Sequence, residues 1–143
     1  MAAVVADTHV AVWYLLSAKN LSLNAQRAMD DAAKAGDPVY VSSISLVEVV
    51  YLVEKGKLPR VVLDRLTSAL SEPTSGFLIA ALDFPVVSAL PQISRDMVPD
   101  MPDRIIAATA LHLGLPLVTR DSKVINCEGL PLHPFPSDSR SLQ

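Results

Sequence analysis

The chain has 143 residues, half of them hydrophobic, with 12 basic and 15 acidic side chains and a formal net charge of −3 at pH 7. That length buries one sizeable core and is short for two, so residues 1–134 are expected to form a single domain and the Pro/Ser-rich stretch 135–143 a flexible tail. The charge excludes a protein that coats nucleic acid through a uniformly basic surface, but not a nuclease, because a cation held among acids inverts the local field.

The longest apolar runs fall far short of the roughly 20 residues that cross a bilayer. Met1 leads directly into a strand-like segment with no secretory signal, and a cytoplasmic protein without membrane contact is expected. A single cysteine, Cys127, excludes an intramolecular disulfide and a cysteine-rich zinc site.

Ala3-Val4-Val5-Ala6 reads as a short buried strand that places Asp7 at its carboxyl end, and a helical pattern follows through Val10, Trp13, Tyr14 and Leu16. Ser22 to Ala35 is rich in helix formers, with Ser22 as its cap and Gly36 as its stop. Val39 to Val41 is a second strand, and Ser42-Ser43 caps a helix that carries Glu48 to about Lys55, ended by Gly56. Pro59 suits the first turn of a helix through Leu63, Leu66 and Leu70 that stops at Pro73. Phe77 to Leu82 is a third strand, and Pro85 opens a short helix through Leu90. A further helix starts near Pro102 and runs to Gly114, followed by a fourth strand from Leu115 to Thr119 and a short fifth from Leu130 to His133. Strands of continuous apolar sequence alternating with helices indicate a parallel sheet covered on both faces.

Four acids sit within apolar sequence: Asp7, Glu48, Asp103 and Asp121. Asp7 and Asp121 follow strands, while Glu48 and Asp103 lie on helices that begin near the same sheet edge, where such folds bind ligands. Glu48 shares its helical face with Ile44, Tyr51 and Leu52, and Asp103 shares its face with Ile106, Ala107, Ala110 and Leu111, so both are expected to point toward the apolar side. Each acid alone has a plainer reading: a buried ion pair for Glu48, a helix-dipole charge for Asp103, and strand-end turns for Asp7 and Asp121. Asp100 reads as a cap or as an acid supporting the site from behind.

Two carboxylates about 5 Å apart repel by on the order of 3 kcal/mol at an effective dielectric of 20, so four together call for protonation or a divalent ion. Oxygen-only donors favour Mg²⁺ or Mn²⁺, and no His-rich spacing supports zinc. The hydroxyls of Thr8, Ser43 and Thr119 sit at the same strand ends and can orient waters or carboxylates, or simply bond backbone. His9, His112 and His133 are isolated and are assigned no acid–base role. No phosphate-cradling glycine loop and no Gly-x-Ser-x-Gly turn occurs.

The segments Val5-Ala6-Asp7-Thr8-His9-Val10-Ala11-Val12-Trp13, Ser45-Leu46-Val47-Glu48, and Met101-Pro102-Asp103-Arg104-Ile105-Ile106 followed by Leu117-Val118-Thr119-Arg120-Asp121 resemble PIN-domain ribonucleases of the VapC toxin type. The resemblance spans nearly the whole chain and is weakest from residue 58 to 100. It implies a three-layer α/β/α sandwich with a mostly parallel central sheet, a homodimer, and Mg²⁺- or Mn²⁺-dependent endonucleolytic cleavage of RNA by metal-activated water. The family's acidic quartet falls on Asp7, Glu48, Asp103 and Asp121. Asp7 and Asp103 are the expected direct ligands; Asp121 and Glu48 ligate through water or complete a second metal position. Arg104 and Arg120 are expected to steady phosphates or to pair with these acids. The resemblance also implies a cognate VapB-like antitoxin whose C-terminal segment lies along a groove, here assigned to the helix pair containing Val49, Leu52, Val53, Val61 and Val62.

Two other classes remain open on sequence. One is a metal-dependent phosphatase or phosphotransferase with Asp7 as nucleophile, against which position 9 is His instead of a second aspartate. The other is a non-catalytic module whose acids hold an ion or a partner's arginine.

Overall fold

The structure, a computed structural model, describes residues 2–119 and the short strand at 124–125. The elements are β1 (Val4–Ala6), α1 (Thr8–Leu16), α2 (Leu23–Ala35), β2 (Val39–Ser42), α3 (Ser43–Glu54), α4 (Arg60–Ser71), β3 (Phe77–Ala80), α5 (Phe84–Ala89), a 3₁₀ turn Leu90–Gln92, α6 (Met101–Leu113), β4 (Leu117–Val118) and β5 (Val124–Ile125). The strands form one sheet in the order β3-β2-β1-β4-β5, parallel except for β5, which runs antiparallel to β4.

The pleat divides the core in two. Val4 pairs with Val39 and Ala6 with Val41 and Val118, and these side chains join Val10, Met29, Val49 and Leu66 on one face. Val5, in register with Tyr40 and Leu117, joins Val86, Ile93, Ile106 and Ala110 on the other. The molecule is therefore a three-layer α/β/α sandwich, as expected from strands apolar on both faces. Among the described residues no helix is long and apolar enough to cross a membrane.

The predicted helix boundaries hold where a cap fixes them. Ser22 accepts the amide of Ala25, Ser42 that of Ile44, and Asp100 that of Asp103, while Gly114 ends α6 at φ 67°, a left-handed conformation that a Cβ disfavours. Pro59 stands one residue before α4, as its cap position, instead of within its first turn. Strand lengths were less legible. The third strand stops at Ala80 short of Leu82, the fourth comprises only Leu117 and Val118, and the fifth is Val124–Ile125; the expected strand at Leu130–His133 lies outside the described residues. Short pairings of this kind are set by neighbours across the sheet, which apolar runs along the chain do not report.

Tyr14 links α1 to α2 by donating its hydroxyl to Asp30 Oδ1 at 2.8 Å. Burial, then the hydrogen bond and the charge of Asp30, push the phenol up from 10.0 to about 12. As pH rises the unfolded chain ionises first, so this contribution to stability is complete below pH 10 and is lost as pH rises through about 12. Tyr14→Phe is expected to melt with a smaller loss between about pH 9 and about pH 11 than the parent, as followed by circular dichroism. An equal loss in both proteins would remove Tyr14 from the alkaline transition.

Candidate active site

The strand order reverses at β1: β2 and β3 lie to one side of it and β4 to the other. A crevice at the carboxyl ends of the central strands is where doubly wound sheets place ligands. Asp7 stands at that point. It follows β1, its amide donates to Val118 O on β4 at 3.0 Å, and its carboxylate Oδ1 accepts the amide of Val10 at 2.9 Å as the N-cap of α1. Strand, neighbouring strand and helix thus all fix this residue.

Glu48 reaches the same corner from α3, six residues into the helix that follows β2. Its Oε1 lies 2.5 Å from Thr8 Oγ1, and Thr8 Oγ1 lies 2.8 Å from Ser45 Oγ. The glutamate is half-buried, as are Ile44 and Leu52 of its predicted face, but the third member of that face is not. Tyr51 is 59 % exposed, and the side chains beside Glu48 are the buried hydroxyls of Ser45 and Thr8.

Asp103 corrects a second expectation, because it is exposed instead of buried. Residues 105–110 of α6 are buried on every side, so the middle of this helix has no solvent face from which periodicity could assign an inner one. Asp103 lies in the first turn, beyond that central stretch, with Met101 exposed beside it. α6 leads into the parallel strand β4, so its first turn lies toward the carboxyl ends of the strands. Asp100 is the simple cap, accepting the Asp103 amide at 3.1 Å.

The supporting residues divide similarly. Thr119 follows β4 and is half-buried at the same edge. Ser43 is not at the acids: its hydroxyl donates to Ala80 O at 3.3 Å, tying α3 to the end of β3. Arg104 donates from Nε to Ile93 O at 3.0 Å and from Nη2 to Leu90 O at 3.3 Å, so its guanidinium braces the 3₁₀ turn against α6. Asp121 and Arg120 lie outside the described residues. Ser45, fully buried beside Thr8, was missed by the sequence reading. Its spacing of three from Glu48 on one helix was the available signal.

The donors are of one chemical kind, carboxylate and hydroxyl oxygen, which suits a hard divalent cation. Among the described residues no three of His, Cys, Asp and Glu by themselves enclose a metal position. The described acids fit a metal in chemistry, and Thr8, next to Asp7 in the chain, bonds Glu48.

The model of the PIN domain matches residues 4–128. Ribonuclease VapC22 of Mycobacterium tuberculosis (strain ATCC 25618 / H37Rv) is 27% identical over 124 residues, covering 87% of this chain and 91% of that protein. The crystal structure of VapBC2 from Rickettsia felis bound to a DNA fragment from their promoter superimposes with a TM-score of 0.59 and 18% identity, over 80% of this chain and 85% of that one, a likeness of fold. With its central acids at the switch point of a three-layer sandwich and the match covering both, the chain belongs to the PIN domain family.

Proposed function

We propose that this PIN domain is an endoribonuclease dependent on Mg²⁺ or Mn²⁺ and acts as the toxin of a toxin–antitoxin pair. The observation that carries the reading is the meeting of Asp7 and Glu48, 41 positions apart in sequence, through Thr8 at the switch point, in a chain similar over most of its length to a ribonuclease. Asp7, Asp103 and Asp121 would hold the ion, with Glu48 acting directly or through water. When bound, a divalent cation supplies charge neutralisation for the scissile phosphate and a water acidic enough to attack it. The protein's own part is positional. Asp7 is fixed as the cap of α1, Glu48 is held at Oε1 by the Thr8 hydroxyl, and exposed Asp103 would line the approach. A phosphodiester meets these acids with repulsion unless a cation intervenes, which makes cleavage without metal unfavourable.

His9, where a dehalogenase-like phosphatase would carry a second aspartate, instead packs on Trp13 with ring centroids 5.4 Å apart. The deciding experiment is incubation of the purified protein with total cellular RNA in Mg²⁺ or Mn²⁺, with a chelator control. Discrete fragments that vanish with chelator support the reading, and intact RNA in every lane counts against it.

Two surfaces fit the proposed partners. Val49 and Val62, expected to line an antitoxin groove, are buried in the core; the groove between α3 and α4 is lined instead by Leu46, Val50 and Leu63, with the exposed Arg60–Asp64 pair at 3.4 Å on its rim. Val47 and Tyr51 stand exposed on the same helix. This is the place for an amphipathic antitoxin segment. The second surface runs along edge strand β3 into α5. Leu78 and Ile79 point to opposite faces of the sheet and both are exposed, as are Leu82 and Phe84, the latter by 80 %. It supports a homodimer. Phe84→Glu is expected to yield a monomer by sedimentation without loss of antitoxin capture, and Tyr51→Glu to weaken capture by at least about tenfold in an intact dimer. A Phe84→Glu protein that remains dimeric would reject this face.

A further inference from the structure

Thr8 is 4% exposed and Ser45 fully buried, yet both carry hydroxyls that a helix interior does not require. Their arrangement is directional. Thr8 Oγ1 lies 2.5 Å from Glu48 Oε1 and 2.8 Å from Ser45 Oγ, and a threonine hydroxyl has one proton for two neighbours. An ionised carboxylate only accepts, so the Thr8 proton goes to Glu48, and the Ser45 proton fills the remaining contact by donating to Thr8. The Thr8–Glu48 separation is in the range of a charge-assisted O–H···O⁻ bond. No buried side-chain oxygen or nitrogen among the described residues is left without a partner, and for these two hydroxyls the partners are each other and Glu48.

We propose that Ser45 and Thr8 form a two-hydroxyl relay that positions the Glu48 carboxylate against the β1–α1 junction. The proposal rests on the nuclease reading for its purpose and on the geometry for its existence. A glutamate turns about three side-chain bonds, and a half-exposed one samples several rotamers when nothing holds its end. Thr8 follows Asp7 directly and opens α1, whose cap is Asp7 itself. Anchoring Glu48 to Thr8 therefore ties one acid to the backbone that fixes the other, and Ser45 ties it from the side of α3. The separation between the two acids is set by buried hydroxyls, and the side chains arrive arranged before any ion or substrate binds. Thr8 and Ser45 are positioning residues, since both act through Glu48.

The test uses the full chain and two readouts. Side-chain couplings of Glu48 by NMR are expected to show one rotamer in the parent and in Thr8→Ser, and averaging in Thr8→Val, which keeps the shape and removes the hydroxyl. Mn²⁺ binding by calorimetry is expected to weaken about 10- to 100-fold in Thr8→Val, to recover to within about threefold in Thr8→Ser, and to weaken by roughly tenfold or less in Ser45→Ala. In the Thr8→Val background Ser45→Ala is expected to have no further effect on Mn²⁺, because the relay is already cut; a merely structural serine would add its full effect. Thermal melts identify any variant that fails to fold. A Glu48 that keeps one rotamer in folded Thr8→Val, or additive losses in the double variant, would overturn the relay. If the parent itself bound no Mn²⁺, the metal reading would fall and the rotamer readout alone would decide the relay.

Discussion

Asp7→Asn is expected to lower metal-dependent RNA cleavage by more than about 100-fold while leaving the melting temperature within a few degrees of the parent. The two halves of this result come from two functions of one side chain. As the N-cap of α1, Asp7 offers Oδ1 to the Val10 amide at 2.9 Å. Asparagine is as good a cap as aspartate and keeps that oxygen. What it loses is the charge and the second anionic oxygen, which are what a hard cation takes. Asp7→Ala removes the cap as well, at about 1 kcal/mol, equivalent to roughly 3 °C in a domain of this size. The alanine protein should thus be as inactive as the asparagine one and measurably less stable. Cleavage by Asp7→Asn at the parent's rate would remove Asp7 from the metal chemistry, whatever its part in the fold.

The sequence made this corner legible because its signals are local. Although the acid's part as the cap of the helix was not read, a run of three apolar residues, then an acid, then a helical pattern marks both the end of β1 and the start of α1. The same held for Ser22 and Gly36 around α2, and for Asp100 and Gly114 around α6. What was illegible depended on neighbours distant in sequence. Asp103 shares helical spacing with Ile106 and Ala110, but whether a first turn overhangs the sheet is set by where the sheet ends. Tyr51 has the spacing of a core residue and faces outward, because α4 covers the adjacent face of α3 instead. Ser45 looked like an ordinary polar residue among valines until the fold brought Thr8 within 2.8 Å of it. The basic residue Arg104, read as a phosphate contact or a partner of the acids, was claimed by the carbonyls of Leu90 and Ile93 at the two ends of the 3₁₀ turn, an irregular stretch whose acceptors no sequence pattern announces.

The same dependence on the interior predicts the largest loss of stability. Ile106 is 1% exposed in the all-round buried stretch of α6, packed in the cluster that contains Val5 and Leu117 on the sheet. Ile106→Ala is expected to cost 2–5 kcal/mol, by lost burial and by the cavity left between helix and sheet, and so to lower the melting temperature by roughly 10 °C. Ile106→Val, one methylene smaller, should cost only about 1 kcal/mol. Met101, on the same helix but 63% exposed, should tolerate alanine within about 0.5 kcal/mol. The contrast isolates packing from helix propensity, since alanine favours the helix at both positions. The loss should also fall on stability before chemistry: Asp103 is placed by the first turn and its Asp100 cap, so below its melting point Ile106→Ala should cleave RNA at close to the parent's rate. A folded Ile106→Ala protein that melts with the parent would show that α6 is not packed through its middle, and the placement of Asp103 at the sheet edge would lose its support with it.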